Sequence, residues 1–223
     1  MPPKAAEPVD VFIVEDQPAL LKALIKGLSA YSELKIVGNA QSGEEALADL
    51  IRHPCQLLLL DLELPGKNGI EVTEVVKRRS PDVEVLILTS FEDEQKVYDA
   101  INAGASGYLV KREGSEKIRE AIHDVMAGGT VLDARISRKF WAFFQSVSAK
   151  TSTQLSNPWH LDEGERELIG YVAKGLTNAE LGRATQTPCR SIKSQLSRIY
   201  RKMNVHSHVE AVVLALRTGL IEL

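Results

Sequence analysis

The sequence predicts an α/β domain built on a doubly wound parallel sheet, followed by a smaller all-α domain. Three observations predict it: short apolar runs that alternate with helical patterns, polar residues ending four of those runs, and purely helical patterning near the C-terminus. The strand-like stretches are Val9–Val14, Leu34–Gly38, Gln56–Leu60, Val83–Leu88 and Gly107–Val110. Continuous apolar runs of this length suit parallel strands buried on both faces. Helical patterns separate them at Pro18–Ala30, Gly43–Arg52, Ile70–Arg79, Glu92–Ala103 and Ser115–Gly128, and Ser42 with Glu45 forms a capping box. Strict alternation of this kind gives a five-stranded, flavodoxin-like sheet.

The first domain is placed at 9–129, after a frayed tail at 1–8. Residues 130–158 are assigned to a helix end and an interdomain linker. Ser, Thr, Gln and Ala dominate Ser137 to Leu155, and Asn157-Pro158 is a turn signal. Trp141 with Phe140, Phe143 and Phe144 is expected to pack an interdomain helix. Residues 159–223 form the second domain. Asp162/Glu165, Thr177/Glu180 and Ser207/Glu210 are capping boxes, and Thr187-Pro188 supplies an N-cap followed by proline at the first helical position. Four helices in this span make a compact bundle containing a helix-turn-helix.

Composition narrows the functional classes. The 223 residues are 44% hydrophobic and 26% charged, as in an ordinary globular protein. No apolar stretch is long enough for a bilayer, and the N-terminus lacks a signal-peptide core, so no membrane association and a cytoplasmic location are expected. Cys55 and Cys189 match no metal spacing, and the five histidines suggest no metal site. The net charge of -3 conceals an asymmetry. Residues 1–150 carry 18 basic against 23 acidic side chains, whereas 159–223 carry 9 against 7. Leu181 to Val209 holds six lysines and arginines and no acid. An acidic module joined to a basic stripe suggests regulation of a polyanion binder.

The strand ends carry the chemistry. Val14 is followed by Glu15-Asp16, Leu60 by Asp61, Leu88 by Thr89 and Val110 by Lys111. In open α/β sheets ligands bind at the carboxyl ends of the strands, so these side chains should meet at one edge. Asp61 beside a sharp loop can attack an in-line phosphorus atom, which requires charge neutralisation. Mg²⁺ provides this with few protein ligands. Asp16 and Asp61 would give carboxylate oxygens, Glu63 in the loop a backbone carbonyl, and Glu15 would act through water. Lys111 supplies positive charge, and Thr89 a hydroxyl donor for a phosphoryl oxygen.

These motifs resemble the receiver domain of two-component response regulators. The resemblance runs from Val9 to about Gly129. It rests on Val14-Glu15-Asp16-Gln17-Pro18, Asp61 to Gly69, Leu88-Thr89, and Gly104 to Lys111. It implies that a histidine kinase phosphorylates Asp61 with Mg²⁺, and that Thr89 and Tyr108 form a switch pair. Catalysis would extend only to the protein's own phosphorylation and slow dephosphorylation.

On the helix beginning at Pro188, Ile192, Leu196, Ile199 and Met203 fall on one stripe and should be core. Arg190, Ser194, Ser197 and Arg201 lie opposite, flanked by Lys193, Arg198 and Lys202. A basic face with small polar residues suits the major groove of duplex DNA. The segment from Leu161 to Ile221 resembles the DNA-binding domain of NarL/LuxR-type transcription factors, through Leu161 to Glu167, Ala173 to Leu181 and Ile199 to Val205. Thr185-Gln186-Thr187 departs from the Leu-Gly-Ile usual there, placing hydroxyls where apolar side chains would pack. In the last helix Val209, Val212, Val213 and Leu216 are assigned to the bundle, with Ala211, Leu214, Ala215 and Thr218 on another side. The resemblance implies dimer contacts there.

The function expected is a phosphorylation-controlled DNA-binding transcriptional regulator that dimerises when phosphorylated. The alternative is a receiver-type regulator acting through protein contacts, with a degenerate helix-turn-helix that does not bind DNA. A phosphohydrolase is a third class, but it usually needs an aspartate where Glu63 stands.

Overall fold

A computed structural model describes residues 7–90, 94–132, 157–205 and 207–221. The N-terminal domain runs β1 (Val9–Val14), α1 (Pro18–Leu28), β2 (Leu34–Ala40), α2 (Gly43–Asp49), β3 (Leu57–Leu60), α3 (Gly69–Arg79), β4 (Glu84–Thr89), α4 (Glu94–Asn102), β5 (Gly107–Val110), α5 (Ser115–Met126) and β6 (Val131–Leu132). Then follow α6 (Glu163–Ala173), α7 (Asn178–Ala184), α8 (Cys189–Met203) and α9 (His208–Arg217). The strands are parallel in the order β2-β1-β3-β4-β5-β6. All five expected strands are present. The two-residue β6 is an addition, in the stretch assigned from sequence to a helix end and linker. The Phe140 to Phe144 cluster lies outside the described residues.

Pleat alternation sorts the core. Phe12, Val14, Leu58, Leu60, Val85, Ile87 and Tyr108 face α2, α3 and α4, packing with Ala46, Val72, Val76, Val97 and Ile101. Val11, Ile13, Leu57, Leu59, Leu86, Leu88 and Leu109 face α1 and α5, packing with Leu21, Leu24, Leu28, Ile118 and Ile122. Each fully buried aliphatic side chain contributes about 1.5–3 kcal/mol of transfer free energy. Both faces are therefore committed, and functional groups are confined to the strand ends.

The helix caps follow the sequence closely. Asp162 and Thr177 close full capping boxes with Glu165 and Glu180, and the hydroxyl oxygens of Ser42 and Ser207 accept from the backbone N–H of Glu45 and Glu210. Asn68 with Glu71 forms a capping box at α3 that the sequence reading passed over. One cap differs from expectation: Pro188, not Thr187, precedes α8, and the Thr187 hydroxyl donates to Thr185 O instead.

The second domain packs Leu161, Leu168, Ile169, Leu181, Ile192, Leu196, Ile199 and Met203 into one core. The faces of α9 are exchanged relative to the sequence assignment. Ala211 and Ala215 enter this core, because their small side chains let α9 lie close to the bundle, and Leu214 packs against it. Val209, Val213 and Leu216 instead pack with the core cluster of the first domain, beside α4. Arg217 reaches the Tyr98 hydroxyl of α4 at 3.5 Å. The periodicity marked two apolar stripes but could not say which neighbour each would meet.

Asn68→Ala should destabilise the first domain by about 1 kcal/mol through loss of the α3 cap. Chemical denaturation of the full chain checks this; an unchanged midpoint would contradict the assigned cap.

Candidate functional site

Strand order 2-1-3 places a topological switch point between β1 and β3, where the carboxyl ends of both open outward. Glu15 and Asp16 leave β1 there, and Asp61 leaves β3. The Asp61 backbone N–H donates to Val14 O at 3.0 Å, continuing the parallel ladder to the site's edge. From β5, the Lys111 N–H donates to Thr89 O at 2.8 Å. Four strand ends are thereby levelled at one rim.

The side chains converge. Lys111 Nζ lies 2.9 Å from Asp61 Oδ2 and 2.7 Å from Glu15 Oε2. Glu15 and Asp61 are only 1% and 4% exposed, so this is a buried arrangement. Glu15, Asp16 and Asp61 each bring a ligating oxygen, all within 4.8 Å of one another. Burial raises the pKa of Glu15 and of Asp61, with Lys111 hydrogen bonds pulling each back down. The Asp61 carboxylate also accepts a backbone hydrogen bond from Glu63. For Lys111 burial alone would lower the pKa, but the hydrogen bonds and charges of Glu15 and Asp61 outweigh it and raise it. When the three carboxylates are ionised they outnumber the one ammonium. The donor set is all hard oxygen, with an excess negative charge that a divalent cation would neutralise. These residues could hold a hard divalent metal ion.

The loop after Asp61 is built around close approach. Gly69, the first residue of α3, lies so near the Asp61 carbonyl that any Cβ there would collide with it. Gly66 has φ +73° and leaves room for the Glu44 carboxylate, which accepts from the Lys67 N–H at 3.0 Å. The Glu63 side chain points elsewhere, to Lys96 of α4 at 2.7 Å. Thr89 and Tyr108 are both fully buried, and Tyr108 is packed in the core on the α4 side. That is deeper than the half-buried position common for a strand aromatic.

The basic face of α8 divides into two groups. Lys202 Nζ lies 2.7 Å from both carboxylate oxygens of Glu165, and Arg198 lies 3.5 Å from the same group. Glu165 is 3% exposed and also accepts the Asp162 N–H at 3.1 Å. Two of the seven candidate DNA contacts thus hold α8 to α6. The acid that balances them lies in another helix, outside the acid-free stretch. Lys193, Ser194, Ser197 and Arg201 line a cleft whose other wall is Pro81 and Asp82, between α3 and β4. Arg190 is exposed. Tyr200 sits beside Lys77, Glu84, Gly128, Asn178 and Ser207, and burial, reinforced by Glu84, pushes its hydroxyl pKa up. The outer face of α8 is therefore turned toward the first domain. Sequence patterning identified that face but carried no signal for what it meets.

The Thr185–Gln186–Thr187 turn is well formed. Gln186 has φ +53°, a backbone conformation that glycine takes more easily. The Thr185 hydroxyl donates to Leu181 O at 2.8 Å, and that of Thr187 to Thr185 O at 3.1 Å. Both hydroxyls are satisfied locally, so neither imposes an unpaired polar group on the bundle.

An aspartate at a strand tip, gripped by a lysine from a neighbouring strand and joined to a helix-turn-helix domain, defines a response regulator. Residues 11–123 match the response regulator receiver domain, and residues 161–215 match the luxR family of bacterial regulatory proteins. The chain belongs to the response regulators that pair a receiver with a luxR-type domain. It is similar to the DNA-binding transcriptional activator DevR/DosR of Mycobacterium tuberculosis, 35% identical over 207 residues that cover 93% of this chain and 94% of that protein. The response regulator VraR of Staphylococcus aureus is 29% identical over 214 residues, covering 96% and 99%. A solved complex of the two-component response regulator RcsB with DNA shares the fold, with TM-score 0.57 and 19% identity over 94% of this chain and 98% of that one. Among the described residues no helix is long and apolar enough to cross a membrane.

Glu165→Gln should lower the stability of the second domain by about 1–3 kcal/mol, since a nearly buried carboxylate loses its charge opposite Lys202. Thermal unfolding of the full chain tests this, and an unaltered transition would show that the pair contributes little.

Proposed function

We propose that this protein accepts a phosphoryl group on Asp61 from the phosphohistidine of a sensor histidine kinase and thereby controls its binding to duplex DNA. The observation that carries the reading is Lys111 bridging Glu15 and Asp61, beside Asp16, at the switch point of the sheet. Asp61 supplies the attacking oxygen. Lys111 is positioned to neutralise charge on the incoming phosphoryl oxygens, and Thr89 arrives from β4 at the same rim as a hydroxyl donor. Glu15, Asp16, Asp61 and the Glu63 carbonyl would hold Mg²⁺, which supplies charge neutralisation for attack by one anion on another. Phosphorylation would then shift a two-state equilibrium centred on Thr89 and Tyr108.

The DNA-binding part of the proposal rests on Arg190, Lys193, Ser194, Ser197 and Arg201, the basic and small-polar residues of α8 not engaged with Glu165. The kinship with a DNA-binding activator and the existence of an RcsB–DNA complex support it. In the closed arrangement seen here, Asp82 stands on the wall opposite Lys193 and Arg201, and a duplex would have to replace that wall. Separation of the domains would expose α8 and free α9, allowing two copies to bind a two-fold DNA site as a homodimer.

Incubation with a small-molecule phosphodonor and Mg²⁺ should label the protein once, at Asp61, and Asp61→Ala should remain unlabelled. Label on that variant would remove the site assignment. For the second domain, Lys193→Ala should weaken binding to duplex DNA and reduce the salt slope of log K by about 1. A slope identical to that of the unsubstituted protein would count against a phosphate contact at Lys193.

A further inference from the structure

The closed arrangement is anchored at an unexpected place. The backbone N–H of Asn178, the first residue of α7, donates to Ala127 O at 3.0 Å. Ala127 is the C-cap of α5, and the chain turns immediately after it. Gly128 takes φ +85°, and the Asn178 amide occupies the space where a Cβ at Gly128 would stand. Asn178 is 6% exposed, and its Oδ1 has no hydrogen bond within the protein. Three residues further on, the chain enters β6, whose Val131 pairs with Gly107 and Leu132 with Tyr108. Gly107 permits this approach: a Cβ there would lie 3.1 Å from Val131 O and 2.8 Å from Leu86 Cδ1.

One six-residue segment, 127–132, is therefore tied at one end to the helix-turn-helix domain and at the other to the strand that carries Tyr108. That strand ends at Lys111, which grips Asp61. We infer that residues 127–132 form a strap that couples the phosphorylation site to the seating of α7. Displacement of β5 when Lys111 and Tyr108 change partners loosens the β5–β6 pairing. The Gly128 turn then moves, and the surface that accepts Asn178 is lost. The coupling is reciprocal: withdrawing α7 frees the turn and weakens β6. A strap of two strand residues and one interdomain hydrogen bond is short enough to open as a unit without unfolding the five-stranded sheet. This inference rests on the proposed role of Asp61, but half of its test does not.

Hydrogen–deuterium exchange on the full-length protein reads both ends of the strap. Without phosphodonor, Asn178→Pro, which removes the donated N–H at the first helical position where proline is tolerated, and Gly128→Ala should each raise exchange in the 127–132 segment by about tenfold. Asn178→Pro alters only the second domain's side of the contact, so it remains informative if Gly128→Ala folds poorly. Unchanged protection of 131–132 in Asn178→Pro would overturn the strap. With a small-molecule phosphodonor and Mg²⁺, exchange in the unsubstituted protein should rise together at 131–132 and at the start of α7. A rise at α7 alone, or no rise in protein whose mass shows full phosphorylation, would also overturn it. If Asp61 takes no label, the proposed function fails, and the two substitutions still decide whether the strap exists.

Discussion

The structure depends on one buried ammonium. Lys111 sits between Glu15 and Asp61, which come from strands β1 and β3, while Lys111 itself follows β5. Two carboxylates this deeply enclosed would not remain close together without a cation between them, because the low-dielectric surroundings magnify their repulsion. The parallel register of β1, β3, β4 and β5 delivers all three groups to the same height. The all-apolar strands fix that register by filling both faces of the sheet. Site and core are thus one device: the core sets the level of the strand tips, and Lys111 holds together what the strands present.

The interdomain contact has a different character. It combines an apolar stripe on α9 lodged beside α4, a cleft where Asp82 stands across from Lys193 and Arg201, and a backbone hydrogen bond from α7 to the end of α5. A contact that joins apolar, charged and hydrogen-bonded groups at separate points can be weakened by a local change in charge at one of them. The same helices that would read DNA are held against the receiver, so the closed form and a DNA-bound form would compete for α8.

Much of the site was legible because its residues sit where apolar runs stop. Asp16, Asp61, Thr89 and Lys111 could be named from strand ends alone, and the core stripe Ile192, Leu196, Ile199 and Met203 from a helical period. The basic face of α8 was legible only as a pattern. Arg198 and Lys202 share that pattern with Lys193 and Arg201 but pair with Glu165, which lies 37 residues before Lys202 in the sequence. Local charge counting cannot see such a partner. The two stripes of α9 were likewise visible, but their assignment depended on whether alanines or valines lay closer to the bundle. The small residues won because close helix approach excludes larger ones.

Local sequence by itself determined the five longer strands, the helices between them, most of their caps and the polar residues that end the strands, because period, capping chemistry and strand termini are properties of neighbouring residues. Only the tertiary structure decided which cations remained for a ligand, which face of α9 met the receiver, that a sixth strand pairs with β5, and that the start of α7 bonds to the end of α5. Those outcomes turn on distances between segments far apart in the chain. Burial and charge pairing set such distances, and they act after the elements have formed.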